Sequence, residues 1–416
     1  MSEELALYGG SKTKTTDWGT GKRFGEGELK NLKEALAQNT LFYLYGNKVK
    51  TFTKKFADMY TVKHCVAASS GTAGVHVALG AIGVTEGDEV ITSPITDMGS
   101  IIGILYQNAI PVFADLDPST YNMDPKSIEK KITDKTKAIL VVHLAGNAAD
   151  MDPIMGLARK YDIKVIEDCG QSYMTYYKGR LAGTIGDIGC FSVSDSKHIS
   201  AGDGGMIIMD DEDLYFKAFK FADKNYDRFT TDQTEAHNVQ YIAPNYRMTE
   251  LQGAVALAQL DKLEWICERR NRYGDALTEG IEDLPGIIPH KVYDGNKSSY
   301  WFYMFRIDEE EAGVSRDEFS KALSAEGIPN QPGYIPTCVY EYDIFKQKSA
   351  YIGTHSPFDS QYYGRDLEYY TGMCPVAENI LRTSIMLNVN EFYTEQDLED
   401  TIVAIEKVSN YYAQRK

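Results

Sequence analysis

The period of apolar and polar positions changes several times along the chain, and each change marks an element. GELKNLKEALAQ and VKTFTKKFADMY space their apolar residues three and four apart, which predicts two amphipathic helices within the first 62 residues. From residue 63 short apolar runs alternate with helical stretches. VAASSGTAGVHVALGAIG reads as strand, turn and helix. EVITSP, PVFADLD, AILVVHLAG and KVIEDC read as strands, and SIIGILYQNA, PKSIEKKI and DPIMGLARKYD as the helices between them. Near-continuous apolar strands separated by helices predict a mostly parallel sheet buried on both faces.

GCFSVS and GMIIMDD add two further strands, and the region from about 247 to 280 predicts one long helical stretch. Beyond it, SYWFYMFRID predicts a strand, RDEFSKALSAEG a helix, and TEQDLEDTIVAIEKVSNYY a closing amphipathic helix. The Tyr-, Gly- and Pro-rich stretch 331–374 has weak periodicity and is expected to be an ordered loop region near a ligand. The expected fold class is therefore α/β. Residues 1–270 would form a large ligand-binding domain with an N-terminal approach segment, and 271–416 a smaller C-terminal α+β domain.

Composition narrows the classes. The 416 residues are 43% hydrophobic and 25% charged, an ordinary globular balance, and no apolar run is long enough for a membrane helix. A formal net charge of -17 argues against nonspecific nucleic-acid or anionic-membrane binding. MSEELALYGG has no basic region followed by an apolar run, so no secretory signal is expected. Cys65, Cys169, Cys190, Cys267, Cys338 and Cys374 show no metal-ligand spacing. Reduced thiols and a cytoplasmic location are the expectation.

Three segments carry candidate chemistry. SSGTAG (69–74) joins a strand to a helix with small residues, leaving the first helical N–H groups of Gly71, Thr72 and Ala73 to cap the helix or to cup an anion such as phosphate. VIEDCGQSY (165–173) sets Glu167 and Asp168 at the carboxyl end of an apolar strand, where ligands of open α/β sheets bind. No His or third acid stands near enough in sequence to favour a metal. A carboxylate there suits a cationic heterocycle nitrogen, with Gln171 in reach of a neighbouring oxygen. SVSDSKHISAGDGG (192–205) sets Lys197 and His198 side by side before a glycine turn containing Asp203. A desolvated lysine in such a place can form a Schiff base. Phosphate cup, strand-end acid and lysine, in that order, are a protein's share of a pyridoxal 5'-phosphate (PLP) site.

The chain resembles the StrS-type (DegT/DnrJ/EryC/StrS) PLP-dependent sugar and cyclitol aminotransferases, which share the aspartate aminotransferase fold, fold type I. The likeness runs from ALYGG through GTAGVHVAL, GDEVITSP, PVFADLDPSTYNMDP, VVHLAGNAADMDPI, EDCGQSY and the GDGG segment to APNYRMTELQGAVALAQLDKL. VHLAG and SYWFYMFRI look most like inosose aminotransferases and aminohydroxybenzoate synthases.

The resemblance implies that Lys197, four residues clear of the glycine turn, is the Schiff-base lysine. The related sugar 3-dehydratases have histidine at that place, and His198 is one residue off it, so it is expected to pack or hydrogen bond as a neighbour. It further implies that Asp168 pairs with the pyridine nitrogen and Gln171 with the ring hydroxyl. Thr72 and Ala73 N–H groups, beside Gly71, and the Ser192 hydroxyl would hold the phosphate. Asn245, with Arg247 beside it, would reach in from the neighbouring subunit of a homodimer. His143 and Asn147, in VVHLAGN, are expected to be structural or to touch substrate. One departure stands out in PITDMGS, where Asp97 occupies the place of the family's stacking aromatic; Met98 is the expected cover for the ring face.

The implied reaction moves an amino group from glutamate or glutamine to a keto sugar or ketocyclitol. The alternatives are a PLP-dependent sugar dehydratase, an aromatising enzyme like aminohydroxybenzoate synthase, or a scaffold that has lost its chemistry. The simultaneous presence of Asp168, Gln171, Ser192 and Lys197 argues against the last.

Overall fold

A computed structural model describes residues 4–415. Two helices, α1 (Glu26–Ala37) and α2 (Lys48–Tyr60), lead into the alternating part of the chain. There β1 (His64–Ala68), α3 (Gly71–Ala81), β2 (Glu89–Thr92), α4 (Gly99–Tyr106), β3 (Ile110–Phe113), α5 (Pro125–Lys131), β4 (Thr136–Val142), α6 (Met151–Tyr161) and β5 (Lys164–Asp168) follow in order. After a small hairpin, β6 (Tyr176–Tyr177) and β7 (Arg180–Leu181), come β8 (Ile188–Ser192), β9 (Gly205–Met209), α7 (Glu212–Ala222) and the short α8 (Gln233–Ala236).

Seven strands form one sheet in the order β1-β9-β8-β5-β4-β2-β3. Strands β3, β2, β4, β5 and β8 run parallel, and β9 pairs antiparallel with both β8 and β1. The chain leaves β2 toward β3 at one edge but leaves β4 and β5 toward the opposite edge, and ligands of such sheets bind outside the carboxyl ends of the strands, where β5 and β8 end. Helix α3 is apolar nearly all round and almost wholly buried, because it is covered by the sheet on one side and by α4 and α7 on others. Its burial fixes the direction in which its N-terminus points.

The helical stretch expected from 247 to 280 is two helices, α9 (Glu250–Leu260) and α10 (Leu263–Ile281), broken at Asp261–Lys262. Their burial explains the break. Helix α9 packs between α1 and α2 and the large sheet, whereas α10 leaves to pack against α15 (Glu395–Ala413). The Lys262 ammonium at the corner is held by Glu28 at 2.5 Å and by the Arg23 carbonyl at 2.8 Å. Helix α10 runs unbroken through residue 270, where the large domain was expected to end.

The remaining elements are β10 (Ile287–Pro289), β11 (Phe302–Ile307), α11 (Glu309–Ala312), α12 (Arg316–Ala325), β12 (Asn330–Pro332), α13 (Asp343–Lys346), α14 (Pro375–Thr383) and β13 (Ser384–Asn388). They build a second, antiparallel sheet, β10-β11-β13-β12, packed by α10, α12 and α15 around Leu277, Phe305, Phe319 and Ile405. The 331–374 stretch is irregular but ordered by burial. Tyr340, Phe345, Tyr363 and Tyr369 join the core behind β3, and the Tyr369 hydroxyl donates to the Pro111 carbonyl at 2.8 Å. It thereby covers the edge strand of the large sheet, which would otherwise offer unpaired backbone groups. Of this stretch only the end near Tyr334 approaches the site.

Candidate active site

At the carboxyl ends of β5 and β8 lies a cavity of about 220 Å³. It is floored by the start of α3 and walled by the loop after β8 and by Trp301 and Tyr334 from the second sheet's side. Gly71, Thr72, Asp168, Gln171, Ser192 and Lys197 all line it.

Ser70 caps α3, its hydroxyl accepting from the Ala73 N–H at 3.0 Å. Ala73 is therefore committed to the cap, and the donors left facing the cavity are those of Gly71 and Thr72, which have no acceptor within the helix. A Cβ on Gly71 would stand 2.5 Å from Ser192 Cβ and 2.8 Å from its hydroxyl. Glycine is required there because helix start and strand end touch. The result is an open cup of N–H donors and a hydroxyl at the positive end of a buried dipole, which suits a phosphate.

Asp168 ends β5 and its carboxylate is fixed on both oxygens. Ser100 Oγ donates to Oδ2 at 2.6 Å, and the Gly170 N–H donates to Oδ1 at 2.9 Å. Gln171 is buried, and its Oε1 accepts from the Ala145 N–H at 2.8 Å. The amide orientation is thereby set, and its Nε2 faces the Tyr334 hydroxyl at 3.4 Å across the cavity. Gln171 presents a donor.

Lys197 lies in the turn after β8, its backbone tied to the N-terminal segment by Arg23, whose guanidinium donates to the carbonyls of Asp195, Lys197 and His198. Burial lowers the pKa of the Lys197 amine to about 8, against the opposing pull of Asp168 and Asp97. An amine that titrates near neutrality is suited to nucleophilic and base chemistry. His198 points the other way. It is fully buried, its Nε2–H donates to the Ser299 carbonyl at 3.0 Å, and burial holds its pKa well below the usual imidazole value.

Glu167 also turns away from the cavity. It accepts from His143 at 2.8 Å and from the N–H groups of Gly183, Ile185 and Gly186 at 2.9, 2.7 and 2.6 Å. Burial pushes this carboxyl up, but these hydrogen bonds outweigh it and the pKa is lowered. His143 Nδ1 accepts from the Ala149 N–H at 3.0 Å, so its Nε2 carries the proton. Cys169 lies close to both, yet the Nδ1 lone pair of His143 and both oxygens of Glu167 are already taken by N–H donors. Asn147 is likewise buried, its amide donating to the Thr120 and Lys291 carbonyls. Both residues of VVHLAGN are frame, outside the cavity.

Asp97 and Met98 part company. Asp97 borders the cavity, one carboxylate oxygen accepting from the Gly99 N–H at 2.7 Å at the start of α4. Met98, expected to cover a ring face, packs against the core behind β3 and is absent from the cavity lining, because α4 begins there and turns its side chain inward. Asp203 lines the mouth from the glycine turn. Asn245 is exposed and stands outside this cavity, and Arg247 is paired with Asp223 at 2.9 Å.

Four contributors were not singled out in the sequence. Ser100 and Arg23 carry no motif; a serine four residues after Thr96 and an arginine in an approach segment look like ordinary cap and surface residues. Trp301 and Tyr334 lie in segments whose aromatic richness was the available signal.

Comparison with known proteins agrees with this geometry. The sequence pattern of the DegT/DnrJ/EryC1/StrS aminotransferase family matches residues 22–368. A putative L-glutamine:3-amino-2,3-dideoxy-scyllo-inosose aminotransferase of Streptoalloteichus tenebrarius is 35% identical over 79% of this chain and 79% of its own. The GDP-perosamine synthase of Escherichia coli O157:H7 is 34% identical over 84% and 92%. Among solved structures, the aminotransferase from Psychrobacter cryohalolentis superposes with a TM-score of 0.82 at 29% identity, over 95% of this chain and 99% of that one. The chain belongs to the DegT/DnrJ/EryC1/StrS aminotransferase family, and is a transaminase of fold type I that uses pyridoxal phosphate.

Proposed function

We propose that the enzyme moves an amino group from glutamate or glutamine to a keto sugar or ketocyclitol, with Lys197 as the residue that carries the cofactor and moves the proton. The observation that carries this reading is a single buried amine, its pKa lowered to about 8, in one cavity with Asp168, Gln171 and an open helix N-terminus.

Bound pyridoxal phosphate supplies a carbonyl that captures amino groups and a ring that draws electrons from the reacting carbon. The Gly71 and Thr72 N–H groups and the Ser192 hydroxyl hold its phosphate. Asp168, locked by Ser100 and Gly170, keeps the ring nitrogen protonated by charge pairing. Gln171 Nε2 donates to the ring hydroxyl, since its oxygen is already committed to Ala145. Lys197 Nζ, as the neutral amine, would take the proton from the donor's α-carbon and deliver it to the cofactor's carbonyl carbon in the same half reaction, and would move a proton the other way when the acceptor is aminated. Asp97 and Tyr334 border the space where the acceptor enters.

Asn245 is exposed and away from its own subunit's cavity, which is compatible with its serving the phosphate of a second copy in a homodimer. No described helix is long and apolar enough to cross a membrane, and all six cysteines are unpaired. Both fit a cytoplasmic enzyme. Relatives named for a scyllo-inosose and for GDP-perosamine support the acceptor class of keto sugars and ketocyclitols.

Borohydride reduction of the loaded enzyme should fix the cofactor to the peptide containing Lys197. Glutamate or glutamine alone should then convert the cofactor to its amine form, and a panel of ketosugars and inososes should return it. Normal transamination by Lys197→Ala overturns the proposal. Turnover of a deoxygenation substrate without any response to amino acids would favour the dehydratase.

A further inference from the structure

The Lys197 ammonium lies 3.7 Å from the centroid of the Trp301 ring. The ring is held independently of the amine. Its Nε1–H donates to the Ser196 carbonyl at 2.7 Å, and its backbone N–H donates to the Ala145 carbonyl at 3.0 Å. Its own carbonyl accepts from Arg270 at 3.3 Å, and Tyr334 packs edge-on at 5.9 Å. Trp301 comes from the approach to β11 in the second sheet, whereas Lys197 follows β8 in the first. The indole also stands between two spaces. It lines the cavity that holds Asp168, and it lines a second, of about 690 Å³, with Trp18, Gln331 and Asn388.

We propose that Trp301 is a positioning residue for transamination: its ring face is the resting place of the Lys197 amine whenever that amine is not attached to the cofactor, keeping it within the catalytic cavity and out of the larger space beside it. The inference rests on the reading of Lys197 given above. A transaminating lysine must leave its partner and return to it in every half reaction, and a flexible four-carbon stem offers the amine many other positions. An aromatic face draws an ammonium through its quadrupole, and does so more strongly where water is excluded. It adds no formal charge, so it can hold the amine without capturing it permanently as a carboxylate would.

The groups around the amine set the sign of the effect. Asp168 at the end of β5 and Asp97 before α4 favour the ammonium; burial opposes it. The Tyr334 hydroxyl and Asp203 also border the cavity, while Arg23 and His198 lie on the backbone side of the turn. Trp301 adds to the acids' side, so its removal should make the amine easier to deprotonate.

The test uses cofactor-free enzyme and does not depend on turnover. The rate at which an acylating reagent labels Lys197 is followed against pH by mass spectrometry of its peptide, in wild type, Trp301→Phe and Trp301→Leu. The labelling midpoint is expected near 8 in wild type, and lower by about one pH unit in Trp301→Leu, with Trp301→Phe between them. With the cofactor restored, Trp301→Leu should lose about tenfold in kcat with KM for the donor little changed. In wild type without cofactor, indole emission should change with the same midpoint, and that step should vanish in Lys197→Ala; this measurement stands if Trp301→Leu does not fold. A midpoint unmoved in folded Trp301→Leu, or an emission step that survives in Lys197→Ala, overturns the proposal. Neither result bears on whether borohydride fixes the cofactor to Lys197, so failure of this inference and failure of the transaminase reading are separate outcomes.

Discussion

The Ser100 hydroxyl donates to the Asp168 carboxylate at 2.6 Å, and Thr96 lies 2.7 Å behind it on the same oxygen. An ionised carboxylate only accepts, so the Ser100 proton points to Asp168 and the Thr96 proton to Ser100. A two-hydroxyl chain from the start of α4 thus orients the acid at the end of β5. Ser100→Ala should weaken cofactor binding about tenfold, the worth of one hydrogen bond to a charged group. Fluorescence titration with cofactor checks it. Asp168→Asn should retain the shape yet lower the rate of the first half reaction by at least about 10²-fold, because the amide cannot stabilise a protonated ring nitrogen.

Gly71 tests the phosphate cup. Its missing side chain leaves room for Ser192, whose Cβ would otherwise lie 2.5 Å away. Gly71→Ala must push strand end and helix start apart, an overpacking cost of about 1–3 kcal/mol. Expected is a folded protein that loses cofactor on gel filtration, where wild type keeps it. Unchanged retention would remove the helix start from the site.

The burial of Lys197 has a cost that stability should register. Its folded pKa, about 8, lies below the unfolded value of 10.5. Between those values the unfolded chain binds more protons, so this group makes stability rise with pH across that window and imposes its full penalty below it. Lys197→Met should therefore stabilise the cofactor-free protein by about 3 kcal/mol near pH 7. The gain should shrink as pH rises from about 8 to 10.5. Urea unfolding at a series of pH values reads the difference.

Glu167 makes the opposite prediction. Its pKa is lowered in the folded state, so its contribution is present above the ordinary value of 4.5 and is lost as pH falls through the folded one. Glu167→Ala leaves the N–H groups of Gly183, Ile185 and Gly186 without their acceptor, at a cost of about 3–5 kcal/mol. Thermal melts should show a large loss near neutral pH and a flatter response to acid. Because Glu167 faces away from the cavity, the surviving folded fraction should still bind cofactor.

How legible the site was depended on whether a role is local or distant. The strand, turn and helix of SSGTAG, the strand end at Asp168 and the lysine before the glycine turn are short-range patterns, and each contributes residues to the lining of one cavity. The choice between Lys197 and His198 could be argued from register, and the two side chains do face opposite ways. Ser100 and Arg23 were invisible as site residues, and Trp301 showed only as part of an aromatic-rich strand, since each acts on something that lies 68 residues or more away in the chain. Met98 shows the converse: beside Asp97 in sequence, it turns into the core because helix α4 starts there.

By itself the sequence determined the alternation of strands and helices, the mostly parallel sheet, the family and the order of phosphate cup, acid and lysine, because hydrophobic period and turn chemistry are written in adjacent residues. Only the tertiary structure decided which side chains meet. It broke the helix at Asp261–Lys262 to serve two sheets, committed Ala73 and Gln171 to neighbours that leave Gly71, Thr72 and an amide N–H for the ligand, and laid the Lys197 amine on Trp301. Those outcomes follow from packing, which compares surfaces that the linear chain keeps far apart.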